Sequence, residues 1–333
     1  MSSTSIQAPR SNQRSRLIFA AVVIGLLAAL PLFQVWLRSL NYFLHITMFT
    51  MLYVSMASGW NIIGGYAGYT SLGHNVFYAV GAYLSGLLMV YLGISPFITF
   101  PLAGLVAMII GLVVGLISLR TRGPTFIIVT IAMVMLTTHA FDKWELAGGT
   151  NGLSMPFLPI HPAFSKIPFY YAILLIAVVT IAASYKIRHS KFGLGLRAIS
   201  QDEMKAEVAG IPTSRYKILA FAISGFFVGM AGAIWGYYLT YLRPDLFLTI
   251  AIASNMVLMS ILGGRGTVMG PVVGAVIIVL VNQFFVTQMG STALNIVFTG
   301  LVLILVLKFF PRGVVGTLKL KNKLPSFLDW ETR

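Results

Sequence analysis

Long apolar runs broken by short polar or glycine-rich interruptions organise the whole sequence. Runs that could each form a membrane-crossing helix lie near residues 17–37, 43–63, 73–92, 96–118, 124–141, 168–187, 217–241, 247–262, 268–288 and 293–308. A hydrocarbon layer about 30 Å thick, climbed at about 1.5 Å per residue, consumes roughly 20 residues per helix. The eighth run is short for that task and reads either as a crossing or as a re-entrant segment. The pattern predicts an all-α, polytopic integral membrane protein with about 8–10 transmembrane helices. Residues 142–167 and 188–216 are too polar to cross and form the two substantial loops.

Composition narrows this further. Of 333 residues, 58% are hydrophobic and only 9% charged, and the mean hydropathy is +0.89, whereas about a quarter of a soluble domain is charged. With no cysteine, disulfides, thiolate catalysis, Cys-ligated zinc and iron–sulfur clusters are excluded. The net charge of +15 reads as a topology signal, not as a nucleic-acid footprint. If all ten runs cross, one side receives Arg10, Arg14, Arg16, Arg120, Arg122, the seven cations from Lys186 to Lys217, Arg265, Lys308, Arg312, Lys319, Lys321, Lys323 and Arg333. The other side receives only Arg38, Lys143, Lys166 and Arg243. Cations concentrate on the cytoplasmic side, so both termini are expected inside a bacterial inner membrane. The expected organisation is a basic cytoplasmic tail over 1–16, a transmembrane domain over 17–308 and a cytoplasmic C-terminal tail over 309–333. The 188–216 loop then faces the cytoplasm and the 142–167 loop the periplasm. The first run lacks a small-x-small cleavage context and reads as an uncleaved helix.

The cytoplasmic loop carries the most local information. Ser200 and Glu203 have the spacing of a capping box, Asp202 falls in the first turn where the helix dipole favours an anion, and Gly210 with Pro212 stops the helix. The spacing predicts a short helix over 201–209 with Met204 and Val208 on one stripe and Ala206 and Ala209 on another. So short a helix is marginal alone in water, which points to a protein partner on the cytoplasmic side.

The positions of the acids weigh against several chemistries. Asp142, Glu145, Asp202, Glu203, Glu207, Asp245, Asp329 and Glu331 all fall in loops, tails or span ends. Ion-coupled transporters bury such groups near mid-membrane, so ion coupling is disfavoured, as is a carboxylate-ligated intramembrane metalloenzyme. His45, His74 and His139 are isolated and read as packing residues rather than metal ligands.

Two glycine clusters interrupt the spans. IIGGYAGYTSLGH holds Gly64, Gly65, Gly68, Ser71 and Gly73 beside Asn61, Thr70 and His74. ILGGRGTVMGPVVGA holds Gly263, Gly264, Gly266 and Thr267 with Arg265, and each cluster is followed by Val-Gly-Ala. Such glycines permit close helix packing or a broken span lining a polar pathway. In the external loop, Gly148, Gly149, Asn151 and Gly152 mark turns. No glycine cluster is followed by the lysine of a phosphate-binding loop, so any ATP and Mg dependence belongs to another polypeptide and no cofactor is expected in this chain.

The run SKFGLGLRAISQDEMKAEVAGIPTSRYKILAFAISGFFVGMAGAIWG resembles the coupling-loop signature of ABC importer permeases, specifically the branched-chain amino acid permease family. NIIGGYAGYTSLGHNVFYAVGAY, RTRGPTFIIVTIAM with the GGTNGL loop, and SILGGRGTVMGPVVGA extend the likeness over about residues 58–280. The chain is similar to the longer of the two permease subunits that such importers pair. The resemblance implies a transport subunit without covalent chemistry, fed by a periplasmic binding protein and driven by two cytoplasmic ATPase subunits alongside a second homologous permease. Carried over by position, Arg197, Ala198, Asp202, Glu203, Ala206, Gly210 and Ile211 would make the ATPase contact. Lys205 stands where the family often has a second alanine. Leucine, isoleucine and valine are the first-choice substrates by resemblance, and urea or short amides the second. A secondary transporter would explain the spans but not the cytoplasmic helix.

Overall fold

The computed structural model describes residues 13–34, 41–161 and 164–289, together with 300, 301, 304, 308, 310, 312–321, 324, 325 and 327–330. The tenth apolar run, 293–308, lies almost entirely outside the described residues, as do Arg10, Arg38, Lys323 and Arg333. Among the described residues, nine helices are long and apolar enough to cross a membrane. Helix α1 is Gln13–Gln34, α2 Asn41–Asn61, α3 His74–Leu92, α4 Pro96–Ser118, α5 Pro124–Lys143 and α6 Lys166–Arg188. Two short helices, α7 Lys191–Gln201 and α8 Glu203–Val208, precede α9 Thr213–Leu239. Then follow α10 Pro244–Phe247, α11 Ile250–Gly264, α12 Gly270–Met289 and α13 Gly313–Leu320. The eighth run needs its prefix: α11 alone has 15 residues, and it reaches crossing length as part of the 21-residue segment Pro244–Gly264.

Local chemistry sets most of these boundaries. Proline opens α4, α5 and α10, where its missing N–H and fixed φ cost nothing. Gly93 ends α3 in the left-handed region at φ 68°, the conformation a helix C-cap favours.

Helices α2 and α9 occupy the middle of the bundle, while α1, α4 and α5 leave most of their surface at the periphery. Gly81 of α3 lies against the Gly229 carbonyl of α9, and Gly232 against the Tyr78 carbonyl of α3. A Cβ on Gly104 of α4 would stand 2.9 Å from the Phe226 carbonyl oxygen. In lipid the hydrophobic effect does not drive helices together, so this small-residue backbone contact is what makes α3, α4 and α9 a unit.

The bundle has two distinct ends. α9 runs from Thr213, beside α8, to Leu239, where β2 (Tyr241–Leu242) pairs antiparallel with β1 (Leu153–Ser154) of the 142–167 loop. The tyrosine hydroxyls at the β end of α6, Tyr170 and Tyr171, donate to the Leu27 and Ala28 carbonyls, so α1 begins at the α8 end. Gly313 of α13 abuts Gly264, also at the α8 end. The described parts of both terminal segments therefore share the end that carries α8.

Candidate functional site

The first glycine cluster breaks a helix. After Asn61, α2 widens into a single π-helical turn over Ile62–Tyr66 and then leaves the helix at Gly68, whose φ is 85°. A terminating helix leaves carbonyls without partners, and Arg265 supplies them: Nε donates to Gly64 O at 2.6 Å, and Nη2 to Gly68 O at 2.8 Å and Thr70 Oγ1 at 3.3 Å. A cation at a helix C-terminus also matches the dipole. Arg265 itself lies in the second break, between Gly264 (φ 135°) and Gly266 (φ 76°). There Thr267 Oγ1 donates to Gly264 O at 2.7 Å and accepts from the Gly270 N–H at 3.0 Å, joining α11 to α12.

The two breaks face each other. Asn61 Nδ2 donates to Thr267 O at 2.9 Å, and its Oδ1 accepts from Gly266 N at 2.9 Å and from Ser260 Oγ at 3.1 Å. A Cβ on Gly65 would run into the Asn61 carboxamide and stand 2.7 Å from Gly266 N, so only glycine at 65 leaves room for the Asn61 side chain to join the two backbones. Asn61, Gly64, Gly65, Gly68, Gly264, Gly266 and Thr267 thus form one closed junction, with Gly263 packed behind it on Gly274. Ser71, Gly73 and His74 turn elsewhere. The Ser71 carbonyl accepts from Trp60 Nε1 at 2.8 Å, Gly73 lies on the Thr130 carbonyl, and His74 Nε2 pairs with Ser224 Oγ at 2.5 Å. Among the described residues, no cluster of His, Asp or Glu could hold a metal ion.

At the α8 end the helix differs from the expected 201–209. The chain breaks at Asp202, whose Oδ1 accepts from the Lys205 N–H at 3.1 Å, so Asp202 is the N-cap and those hydrogen bonds hold its carboxyl below the usual range. Ser200 instead donates to Arg197 O at 2.8 Å from within α7, so the capping box does not form. The C-terminal end is as its sequence dictates. Gly210 takes φ 82°, with its N–H on Glu207 O and the Ile211 N–H on Ala206 O, which is a Schellman ending. Ala206 faces inward at 4% exposure, while Met204 and Val208 stand out at 69% and 90%. Arg197, Ala198 and Ile211 are half-buried and Gly210 is exposed.

Glu203 is turned inward by partners that sequence spacing does not reveal. Its Oε1 accepts from Lys217 Nζ at 2.6 Å and forms an ion pair with Arg122 Nη2 at 3.4 Å, and its Oε2 accepts from the Tyr69 hydroxyl. Lys217, buried near the start of α9, also donates to Tyr69 Oη at 3.1 Å and Leu119 O at 3.2 Å, and stands over the Tyr69 ring. All three of its protons are placed. Burial pushes the Glu203 carboxyl up, but the hydrogen bonds from Lys217 and Tyr69 and the two cations outweigh it and hold it below its ordinary value. Burial and the neighbouring Glu203 push the Tyr69 hydroxyl well up, so it stays protonated and donates. Losing Glu203 would strand a buried ammonium, a larger effect than the roughly 1 kcal/mol of a lost helix cap. The one available signal was Lys217 itself, a lysine at the start of an apolar run.

The profile of the family described as the permease component of branched-chain amino acid transport systems matches residues 42–307. The chain belongs to this family. The high-affinity branched-chain amino acid transport system permease protein LivM of Escherichia coli is 27% identical over 83% of this chain and 72% of its own length. The Salmonella typhimurium LivM is 26% identical over 84% and 72%, and the LivH permease of Escherichia coli is 23% identical over 79% and 91%. No solved structure matches the chain.

In this branched-chain permease the end opposite α8 is built from the glycine-marked loop. Gly148, Gly149 and Gly152 take φ of 86°, 53° and 77°, and a Cβ on Gly152 would stand 2.7 Å from Leu242 O. The Asn151 carbonyl accepts from the Tyr241 hydroxyl at 2.6 Å. These contacts dock the loop on the end of α9 and the start of α10, so that the permease presents an ordered surface there.

Proposed function

We propose that this chain is the longer of two paired permease subunits of an ATP-driven importer in the bacterial inner membrane, carrying leucine, isoleucine and valine. Two cytoplasmic ATPase subunits would bind ATP and Mg, a periplasmic binding protein would deliver substrate, and a second homologous permease would complete the conduit. Carrying this reading is one observation: a short helix, closed at both ends by its own sequence, holds Met204 and Val208 out to solvent. Exposed apolar side chains on a fixed helix suit a groove in a partner. Membership of the family and the names of the LivM and LivH relatives support the substrate class, and nothing favours urea or amides.

In this scheme the α8 end is cytoplasmic and the docked 142–167 loop is periplasmic, consistent with the cations at the α8 end. Closure of the ATPase dimer displaces α8, and the spans switch between inward and outward access. The junction around Asn61, Gly65 and Gly266 is closed in this conformation and is the break through which the pathway would open.

The test is co-purification of the tagged chain from its native membrane. ATPase subunits and a sister permease should accompany it, and ATP hydrolysis by the assembly should rise with leucine-loaded binding protein. A chain that purifies alone and transports leucine unaided would overturn the reading.

A further inference from the structure

Tyr69 sits between the two features described above. It follows the broken end of α2, and its hydroxyl donates to Glu203 of α8 and accepts from Lys217 of α9. Its neighbours Gly68 and Thr70 are both held by Arg265 of the second break, and Gly68 also faces Ser200, two residues before the α8 cap: a Cβ on Gly68 would stand 3.2 Å from Ser200 Cβ. The path from α8 to the glycine junction is therefore two polar links long: Glu203 to Tyr69, then the 68–70 backbone to Arg265.

We propose that Tyr69 and Lys217 are positioning residues that carry displacement of α8 to the glycine junction. The proposal rests on α8 being the element the ATPases pull. Two routes lead away from α8. The covalent one, through Gly210 and Pro212, ends in α9, which is packed against α3 and α4 by close backbone approach at Gly81, Gly229 and Gly232. The polar one ends in a loop that has room to respond: Gly68, Tyr69 and Thr70 line a half-open pocket of about 270 Å³ with Gly123, Pro124, Phe126 and Ile127. On its N-terminal side the loop departs from regular helix twice, at the π turn ending at Tyr66 and at Gly68 with φ 85°. A two-state element whose ends are tied to different bodies is what transmits such a change. Lys217 keeps the link stiff, because its ammonium fixes Glu203 and the Tyr69 hydroxyl at once.

The experiment uses the complete assembly in proteoliposomes, with radiolabelled leucine uptake and ATP hydrolysis measured in the same vesicles and retention of the ATPase subunits measured beforehand. Tyr69→Phe keeps the ring over Lys217 and removes only the hydroxyl. The expected result is full retention of the ATPases, hydrolysis within twofold of wild type, and a tenfold or greater fall in leucine moved per ATP. The exchange Glu203→Lys with Lys217→Glu should recover part of the uptake that either change alone removes. An uptake-to-hydrolysis ratio within twofold of wild type in Tyr69→Phe overturns the proposal, as does a loss of uptake matched by an equal loss of hydrolysis. Should Tyr69→Phe fail to accumulate, Lys217→Gln is read against the same ratio. Failure of wild-type chain to retain ATPases at all would instead sink the assignment of α8.

Discussion

Asn61→Leu removes the side chain that ties the two breaks together while nearly preserving volume. Three bonds are lost: to Thr267 O, from Gly266 N and from Ser260 Oγ. The serine hydroxyl can turn back to a carbonyl of its own helix, but the Gly266 N–H and the Thr267 C=O have no such refuge. A fully buried orphan costs about 1–3 kcal/mol, and because these two groups are half-buried the low end applies, about 2–3 kcal/mol for the pair. Interhelical hydrogen bonds in membranes average only about 0.6 kcal/mol because displaced groups find other partners. Here the orphans are backbone groups at a break, where no helical partner exists, so the orphan cost applies rather than that average. At about 2 °C per kcal/mol for a chain of this size, the midpoint of heat-induced loss of monodisperse protein in detergent should fall by about 4–6 °C. Ser260→Ala, which leaves Asn61 its other two bonds, should cost about 1 kcal/mol and shift it by roughly 2 °C. Equal shifts for the two variants, or no shift for Asn61→Leu, would refute the claim that Asn61 is what satisfies the broken backbone.

Three further outcomes follow from the same geometry. Val208→Asp changes a side chain that is 90% exposed, so the thermal midpoint should stay within about 1 °C while co-purification of ATPase subunits is lost; retained subunits would contradict the docking face. Gly81→Leu drives a side chain into the Gly229 carbonyl and should prevent accumulation of folded chain in the membrane, checked by fluorescence of a C-terminal fusion. Glu203 has a carboxyl held below its ordinary 4.5, so its stabilising contribution is complete above pH 4.5 and is lost as pH falls through the lower folded value. The midpoint difference between wild type and Glu203→Gln should accordingly be constant from about pH 6 to 8 and shrink below pH 4.5; a difference that changes near neutrality would contradict the assignment.

Much of this protein is decided within short stretches of chain. Crossing length and hydropathy are local properties, so nine of the ten apolar runs correspond to helices of sufficient length, and the tenth lies outside the described residues. The stop at Gly210 and Pro212 is likewise local, because a left-handed glycine and a missing N–H act on their own helix. The family likeness drawn from the coupling loop and glycine motifs matches the profile over 42–307. Even the eighth run reaches crossing length through a neighbouring stretch, the turn Pro244–Phe247, which stands two residues before α11.

Tertiary structure alone decided how the broken ends are satisfied. An orphaned carbonyl accepts from any donor within reach, and the donor to Gly64 O comes from 201 positions away, so no spacing rule could pair the two glycine clusters. The same applies to Glu203. Its spacing from Ser200 fits a capping box, worth about 1 kcal/mol, but a buried ammonium at Lys217 and a hydroxyl at Tyr69 compete for the same carboxylate, and a charged partner sealed from water outweighs an exposed backbone N–H. Local sequence therefore specifies where helices start, stop and break, while the identity of the group that fills each break depends on which distant side chain the packing of α2, α9 and α11 delivers there.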